Sequence, residues 1–423
     1  MSALEQNILE KYPVMSDTQA ISEAQRCLFC FDPPCVKACP TEIDIPKFIN
    51  KIANKNTLGA ARTILKANIL GYSCAKACPE EELCAGACVY NNKQEPPIEI
   101  GRLQHFATNL AIKTSSPLLL LGPKKIISGK KIAFVGAGPA SIAAAAMLAY
   151  EGHHVVIYDK RKFVGGLNTS GIAPYKLKTS EALDEINWLK SLGLEFCLDH
   201  EIDKEQAQKL ESDYDALFLG VGLGDDAYLD IPGARNEGVY GACELIEKIK
   251  TQKNFSLKNI QRAHIVGGGN TALDIAQELR LLNISHVVLL YRREQKSMSG
   301  YKHELHNALK LGVCLFENTQ IKEIIHENNK LKGYLDNNNN FIASDLIAFA
   351  IGQNNKANNV ANYFSLVQKD YFGLIQVDKL TMRTDNPKIW AAGDCVNGGK
   401  EVVNAVGEAK VAVQSMLKYL SGI

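Results

Sequence analysis

The segment KIAFVGAGPASIAAAAMLAYEGHHVVIYDK, residues 131–160, passes from a strand through a glycine turn and a helix to a second strand. An apolar, β-branched run over residues 132–135 suits a buried parallel strand. Gly136-Ala137-Gly138-Pro139-Ala140-Ser141 follows, then an Ala-rich helix, then a strand over residues 155–158 that ends at Asp159-Lys160. That order is a βαβ unit built for a dinucleotide. Gly136 permits the tight turn, Gly138 lets the backbone approach a pyrophosphate at the helix N-terminus, and Asp159 can accept hydrogen bonds from a ribose hydroxyl. Ser141 stands at the third fingerprint position and is small enough to keep helix and strand close. A glycine triplet alone is a weak signal. Strand, helix, second strand and terminal acid in sequence make it a strong one.

With 423 residues the chain has room for two or three domains. Its net charge of +1 and scattered Lys and Arg give no electrostatic argument for nucleic acid or a membrane surface. The first residues carry acids where a secretory signal needs a basic start and an apolar core, and no apolar run approaches the roughly 20 residues of a membrane span. A cytoplasmic protein is expected.

Eight of the twelve cysteines fall between residues 27 and 88. They come as Cys27-x2-Cys30-x4-Cys35-x3-Cys39-Pro40 and Cys74-x3-Cys78-Pro79-x4-Cys84-x3-Cys88. In a cytosolic chain such crowding points to metal rather than disulfides. Pro directly after Cys39 and Cys78 is also what closes bacterial ferredoxin runs, in which one cluster takes ligands from two runs. The spacing itself is not that of a ferredoxin. Structural zinc would favour paired knuckles, and only Cys27 and Cys30 form one. Two [4Fe-4S] clusters are expected, since a redox chain next to a flavin gives them a purpose, with zinc as the alternative. Between the two groups, Phe48, Ile49, Ile52, Ala60, Ala61, Ile64 and Leu65 recur at helical spacing, as packing helices do. Residues 116–130, with Pro, Gly and Lys around a Leu run, form a plausible linker.

Beyond the first unit, Gly165-Gly166-Leu167 is a turn that can bring backbone N–H groups to the same nucleotide, and a helix is expected over residues 181–192. Residues 215–222 form a buried strand ending in Gly220 and Gly222. A second βαβ unit begins at His264, HIVGGGNTALDIAQEL, with Gly267, Gly269 and Ala272 at the fingerprint positions. Its second strand ends in Arg292-Arg293. An acid there would receive a ribose diol, whereas a basic pair can neutralise a 2′-phosphate, which favours NADP(H) over NAD(H). Glu294 beside them could pair one of them off. Residues 337–340 are most simply a hairpin loop, residues 346–352 a further buried strand with a terminal glycine, and residues 389–394 a strand delivering Asp394, whose carboxylate could bond a polyol such as ribityl. A last amphipathic helix spans residues 401–417.

Two fingerprints in one chain, with a late Gly393-Asp394 strand, resemble the FAD/NAD(P) oxidoreductases whose nicotinamide domain is inserted in the FAD domain. The cysteine domain in front narrows the resemblance to the family of the glutamate synthase small subunit and the N-terminal half of dihydropyrimidine dehydrogenase. Residues 52–90, IANKNTLGAARTILKANILGYSCAKACPEEELCAGACVY, and 98–108, IEIGRLQHFAT, are most similar to the latter. The resemblance implies an α/β fold: two Rossmann-like dinucleotide-binding domains preceded by an α-helical iron–sulfur domain. The boundaries it suggests are 1–115 for the cluster domain, 131–228 and 345–423 for the FAD domain, and 229–344 for the nicotinamide domain.

The same resemblance implies one cluster on Cys27, Cys30, Cys35 and Cys88, and another on Cys39, Cys78, Cys84 and Gln104, which leaves Cys74 spare. Spacing alone would not choose Gln104 over Cys74. FAD contacts map onto residues 136–141, Asp159, Lys160, Gly165, Gly166, Leu167, Gly393 and Asp394. Nicotinamide contacts map onto Gly267, Gly269, Asn270, Thr271, Arg292, Arg293 and Gly352. Asp159 stands where the family usually has Glu, Lys176 replaces an Arg expected near the flavin, and Ser299 replaces an Arg that helps hold a 2′-phosphate. Bacterial enzymes of this type can use NADH, so both nicotinamides stay open. The implied reaction is electron entry: hydride from NAD(P)H to FAD, then single electrons through the clusters to an FMN-containing, dihydroorotate-dehydrogenase-like barrel subunit that reduces uracil or thymine. No acid–base residue of this chain is required for it. The rivals are a glutamate synthase small subunit and a ferredoxin-linked oxidoreductase. A disulfide reductase is disfavoured, because no close cysteine pair lies in either nucleotide domain.

Overall fold

Residues 131–160 form strand β1 (Lys131–Val135), a helix (Pro139–Tyr150) and strand β2 (His154–Tyr158) in the computed structural model, which describes residues 2–125 and 128–422. With β3 (Leu194–Cys197), β4 (Ala216–Leu219) and β13 (Ile389–Ala391) they make an all-parallel sheet in the order β13-β4-β1-β2-β3. All four residues of β4 are buried, the continuous apolar run that a sheet covered on both faces needs. Phe134 and Phe218 pair in register with ring centroids 5.3 Å apart. The chain steps outward from β1 to β3 and returns on the other side with β4, so the switch point where α/β sheets bind ligands lies between β1 and β4.

A second sheet repeats this plan. Strands β5 (Val239–Gly241), β6 (Arg262–Val266), β7 (His286–Leu290), β8 (Cys314–Phe316) and β12 (Leu346–Phe349) run parallel in the order β5-β12-β6-β7-β8. Its switch point lies between β6 and β12. An antiparallel meander, β9 (Ile321–Glu327), β10 (Lys330–Asp336) and β11 (Phe341–Ala343), is inserted after β8. The Asn-rich loop turns β10 into β11, with Asp336 Oδ1 accepting from the amides of Asn338 and Asn340 at 2.8 and 2.9 Å.

The chain divides into two units. One holds Met1–Lys11, Ser170–Thr179 and Gly224–Asn354; the other holds Tyr12–Thr169, Ser180–Leu223 and Asn355–Ile423. Helices Ile45–Ala53, Thr57–Ala67 and Ile100–Thr114 share one continuous core with the Ala-rich helix Pro139–Tyr150, through Phe48, Ile64, Leu103, Ala144 and Val406. Helical periodicity shows that a face is buried but not against what. The first residues go elsewhere: Ile8 is buried in the other unit's core, the Ser2 amide donates to Lys250 O at 3.0 Å, and the Lys11 amide to Tyr175 O at 2.9 Å. Within the expected linker, Pro117–Leu121 is a short helix with Leu120 and Leu121 buried, and residues 126–127 lie outside the described residues.

Candidate functional site

Both fingerprint loops sit at a switch point and are built alike. Gly136 has φ +95°, and a Cβ there would meet Gly220 O at 2.4 Å. Gly267 has φ +144°, and a Cβ there would meet Ala350 O at 2.2 Å. Each turn therefore needs glycine for its own backbone. Gly138 and Gly269 differ: both are extended N-caps, of Pro139–Tyr150 and Asn270–Leu281, and neither cap makes a side-chain hydrogen bond to its helix. Unsatisfied N–H groups at the start of a twelve-residue helix form an anion site, and a glycine cap lets a phosphate reach them. Ser141 Oγ is buried without a partner among the described residues, 2.2 Å from where a Cβ of Gly220 would be. Glycine in β4's turn thus makes room for serine at the third fingerprint position.

Around the first loop, the amide of Gly165 donates to Ala137 O at 2.8 Å, and a Cβ on Gly166 would lie 2.9 Å from Gly138 Cα. Leu167 opens a one-turn helix, Leu167–Ser170. Asp159 is turned back on the loop: Oδ2 accepts from the Ala137 amide at 2.6 Å and Oδ1 from the Arg161 amide at 2.7 Å. Lys160 is exposed. At the end of β13, Gly393 has φ +80° and its amide donates to Glu408 Oε2 at 2.8 Å. Burial pushes the Asp394 carboxyl up to about 6, with Glu408 and Glu401 adding to it against the bond from the Lys400 amide.

In the second unit, Asn270 Oδ1 accepts from the Tyr301 amide at 2.9 Å, and Ser299 Oγ lies 3.5 Å from a Cβ built on Gly269. Thr271 is half-buried in the helix's first turn, and Gly352, at φ +107°, is exposed with open space around it. Glu294 does not neutralise the arginines, because its carboxylate pairs with Lys296 at 2.5 Å. Arg293 donates to Tyr291 Oη at 2.9 Å, while Arg292 is exposed. Lys176 is held by ion pairs within its own unit. Its ammonium is buried 2.6 Å from Asp274 and 3.1 Å from Glu304, and although burial opposes the charge, the two carboxylates hold its pKa above the ordinary lysine value.

The structure gathers the two cysteine groups as two interleaved sets. Cys27, Cys30, Cys35 and Cys88 ring one pocket with Pro34 and Ile49. Phe29, at φ +50°, makes the turn between Cys27 and Cys30. Burial pushes the Cys35 thiol up to about 12, and Cys27 and Cys88 add to it. Cys78 is raised by its bond with the Cys74 thiol, by burial, and by Cys84 and Cys39. Cys84 is raised by burial, Glu80 and Cys39, with Cys35 of the first set also in range. Crowded neutral thiols become thiolates when a cationic centre binds them. Among the described residues no three His, Cys, Asp or Glu converge as ligands of one metal ion would; the first set encircles a pocket instead, the donor chemistry and spread that a cluster needs. Gln104 is buried, and its Nε2 donates to Gly71 O at 2.7 Å, which leaves Oε1 as the atom able to ligate.

The family description pyridine nucleotide-disulphide oxidoreductase matches residues 130–409. The chain belongs to this family. Residues 4–116 match the dihydropyrimidine dehydrogenase domain II, 4Fe-4S cluster description, so the oxidoreductase carries a 4Fe-4S domain in front. Among curated relatives, the NAD-dependent dihydropyrimidine dehydrogenase subunit PreT of Escherichia coli K12 is 32% identical over 99% of this chain and 98% of its own length. The glutamate synthase [NADPH] small chain of the same organism is 30% identical over 97% and 94%. Among solved structures, Mycobacterium tuberculosis FprA in complex with NADPH superposes with a TM-score of 0.55 at 18% identity, over 69% of this chain and 85% of that one. Thioredoxin reductase of T. acidophilum gives 0.56 at 21%, over 69% and 99%. At such identities the structures attest the fold alone.

Unlike the family's name, the chain offers no disulfide: all twelve cysteines are outside any disulfide bond. Among the described residues no helix is long and apolar enough to cross a membrane. Motif reading missed three side chains of this oxidoreductase. Glu185, fully buried, accepts from the Tyr72 amide at 2.8 Å and from the Ser73 amide and hydroxyl at 3.1 and 2.5 Å, fastening the helix Gly71–Ala77 that leads to Cys78. Burial pushes its carboxyl up to about 7 against those bonds. Glu408 holds Gly393, and Lys410 donates to Thr41 O at 2.7 Å. Each contact spans more than a hundred residues of sequence except that of Glu408, so no local signal announces them.

Proposed function

We propose that this chain is the electron-input subunit of a two-subunit dihydropyrimidine dehydrogenase, taking electrons from NAD(P)H and delivering them to an FMN-bearing, barrel-type partner that reduces uracil or thymine to the 5,6-dihydro form. Residues 136–141, Asp159, Lys160, 165–167, Gly393 and Asp394 would hold FAD; Gly267, Gly269, Asn270, Thr271, Arg292, Arg293 and Gly352 would hold the nicotinamide nucleotide. Cys27, Cys30, Cys35 and Cys88 would hold one [4Fe-4S] cluster, and Cys39, Cys78, Cys84 and Gln104 the second. When bound, the flavin supplies two-electron uptake and one-electron release, and the clusters supply one-electron carriage. The chain's own residues supply position. The glycine caps admit pyrophosphates to helix N-termini, Asp394 offers a half-buried carboxyl for a ribityl hydroxyl, and Gln104 is held by Gly71 with one amide atom left for iron.

One observation carries the reading. Helix Val402–Leu420 bonds Gly393, the flavin-side loop, through Glu408 and the Cys39-Pro40-Thr41 loop through Lys410. The loop we assign to flavin and the Cys39 loop are thus fastened to the same helical turn. Beside that first set Leu28, Phe29 and Phe31 are exposed, an apolar rim suited to a partner that collects electrons. The 32% full-length identity to a dihydropyrimidine dehydrogenase subunit supports the same assignment.

Anaerobic co-purification from the native cell, with mass identification of the partner, extraction of its flavin and a uracil-dependent NAD(P)H oxidation assay, tests the proposal. A barrel-sized FMN protein and uracil turnover are expected. A large glutamine-cleaving partner would replace the proposal by the glutamate synthase reading, which the Glu294–Lys296 ion pair keeps open by leaving the Arg292 guanidinium available to a 2′-phosphate.

A further inference from the structure

One turn of the C-terminal helix lies against the loop that follows Cys39. A Cβ on Gly407 would lie 2.8 Å from Pro40 O, so the helix runs against the loop backbone at that residue. Three residues on, Lys410 Nζ donates to Thr41 O at 2.7 Å. Thr41 Oγ1 in turn lies 3.3 Å from Cys39 Sγ. Lys410 is half-buried; burial lowers its pKa from the ordinary lysine value, and Glu42 and Cys39 oppose that shift. Between those two residues, Glu408 reaches the opposite way, to the Gly393 amide.

We infer that Lys410 is a positioning residue whose ammonium raises the reduction potential of the cluster held by Cys39, so that electrons run from the flavin side toward the clusters. The inference rests on the proposed assignment of FAD and the second cluster. Each electron adds one negative charge beside Cys39 without forming or breaking a bond. A fixed positive charge in a partly desolvated position stabilises that added charge far more than an exposed lysine would. Gly407 serves the same end sterically, since its missing side chain lets the ammonium come within reach of the loop.

The test is a redox titration of the full-length, anaerobically purified holoprotein, following each cluster by electron paramagnetic resonance and the flavin by absorbance. K410M is expected to shift the electron distribution between flavin and second cluster about tenfold toward the flavin, which is about 59 mV for a one-electron couple. K410R should restore the wild-type distribution. Should K410M fail to fold, K410Q, which still donates to the Thr41 carbonyl without a charge, carries the test and should shift as K410M does. An unmoved cluster potential in a neutral variant that still carries its cluster overturns the role of Lys410. Wild-type protein lacking cluster signals overturns instead the assignment on which the inference rests.

Discussion

Alanine at Gly136 and alanine at Gly138 should fail in different ways. At Gly136 the backbone has φ +95° and the new Cβ would sit 2.4 Å from Gly220 O and 3.0 Å from Val221 Cα. The left-handed conformation costs an L residue about 1–2 kcal/mol, and forcing a methyl against backbone costs about 1–3 kcal/mol. The sum, roughly 2–5 kcal/mol, lowers the melting midpoint by roughly 4–20 °C for a unit of this size. At Gly138 the φ is −82° and the nearest atom to a new Cβ is Gly220 O at 3.7 Å, an ordinary contact. The protein without nucleotide tolerates G138A, and only a bound pyrophosphate meets the methyl. Gly267 and Gly269 repeat the pair in the second unit, with a clash at 2.2 Å in one and open contact at 3.5 Å in the other. The assay is calorimetry of the flavin-stripped protein together with flavin retention after gel filtration. G136A should melt early; G138A should melt with wild type yet hold flavin at least tenfold more weakly, and G269A should raise KM for the nicotinamide alone. G138A melting as early as G136A, or retaining flavin like wild type, would refute the division of labour.

Three further outcomes are expected. C88S should abolish one cluster signal and lower iron content by about half, Q104L should alter only the second cluster, and C74A should leave both in place; iron analysis with electron paramagnetic resonance distinguishes them, and loss of a cluster in C74A would make Cys74 the ligand. R292A should raise KM for NADPH by roughly tenfold to a hundredfold, the worth of a hydrogen bond to a charged group, and leave NADH unchanged; equal loss with both nucleotides would remove the 2′-phosphate role. Glu185 titrates near 7 in the fold against an ordinary 4.5. The folded state therefore keeps a proton that the unfolded state has released. Stability contributed there is present below pH 4.5 and falls as pH rises to about 7, by up to about 1.4 kcal/mol per unit, then levels off. Urea unfolding of E185Q across that window should lack the slope, and an unchanged slope would reassign it.

The parallel strands and their glycine turns followed from short-range pattern because their causes are short-range. An apolar run fixes a buried parallel strand, and Gly136 and Gly267 are demanded by the turn that each strand makes into its own helix. The helices over residues 45–67 were legible for the same reason, since Phe48, Ile49, Ile52 and Ile64 mark one face of each. Arg292-Arg293 could be seen at the end of β7, yet whether Glu294 would silence them could not, because Lys296 claims that carboxylate through the geometry of a turn.

By itself, then, the order of residues determined two dinucleotide folds, two cysteine groups and the helices between them, all products of periodicity and of glycine's conformational range. Tertiary structure decided which thiols share a pocket, which unit receives Met1–Lys11, and that Lys176 is bound up with Asp274 and Glu304. It also decided that Glu185, Glu408 and Lys410 fasten the helix before Cys78, the Gly393 loop and the loop after Cys39. Those are matters of burial and of polar groups brought together from distant parts of the chain. Desolvation leaves such groups no stable choice but one another, and no local spacing encodes the meeting.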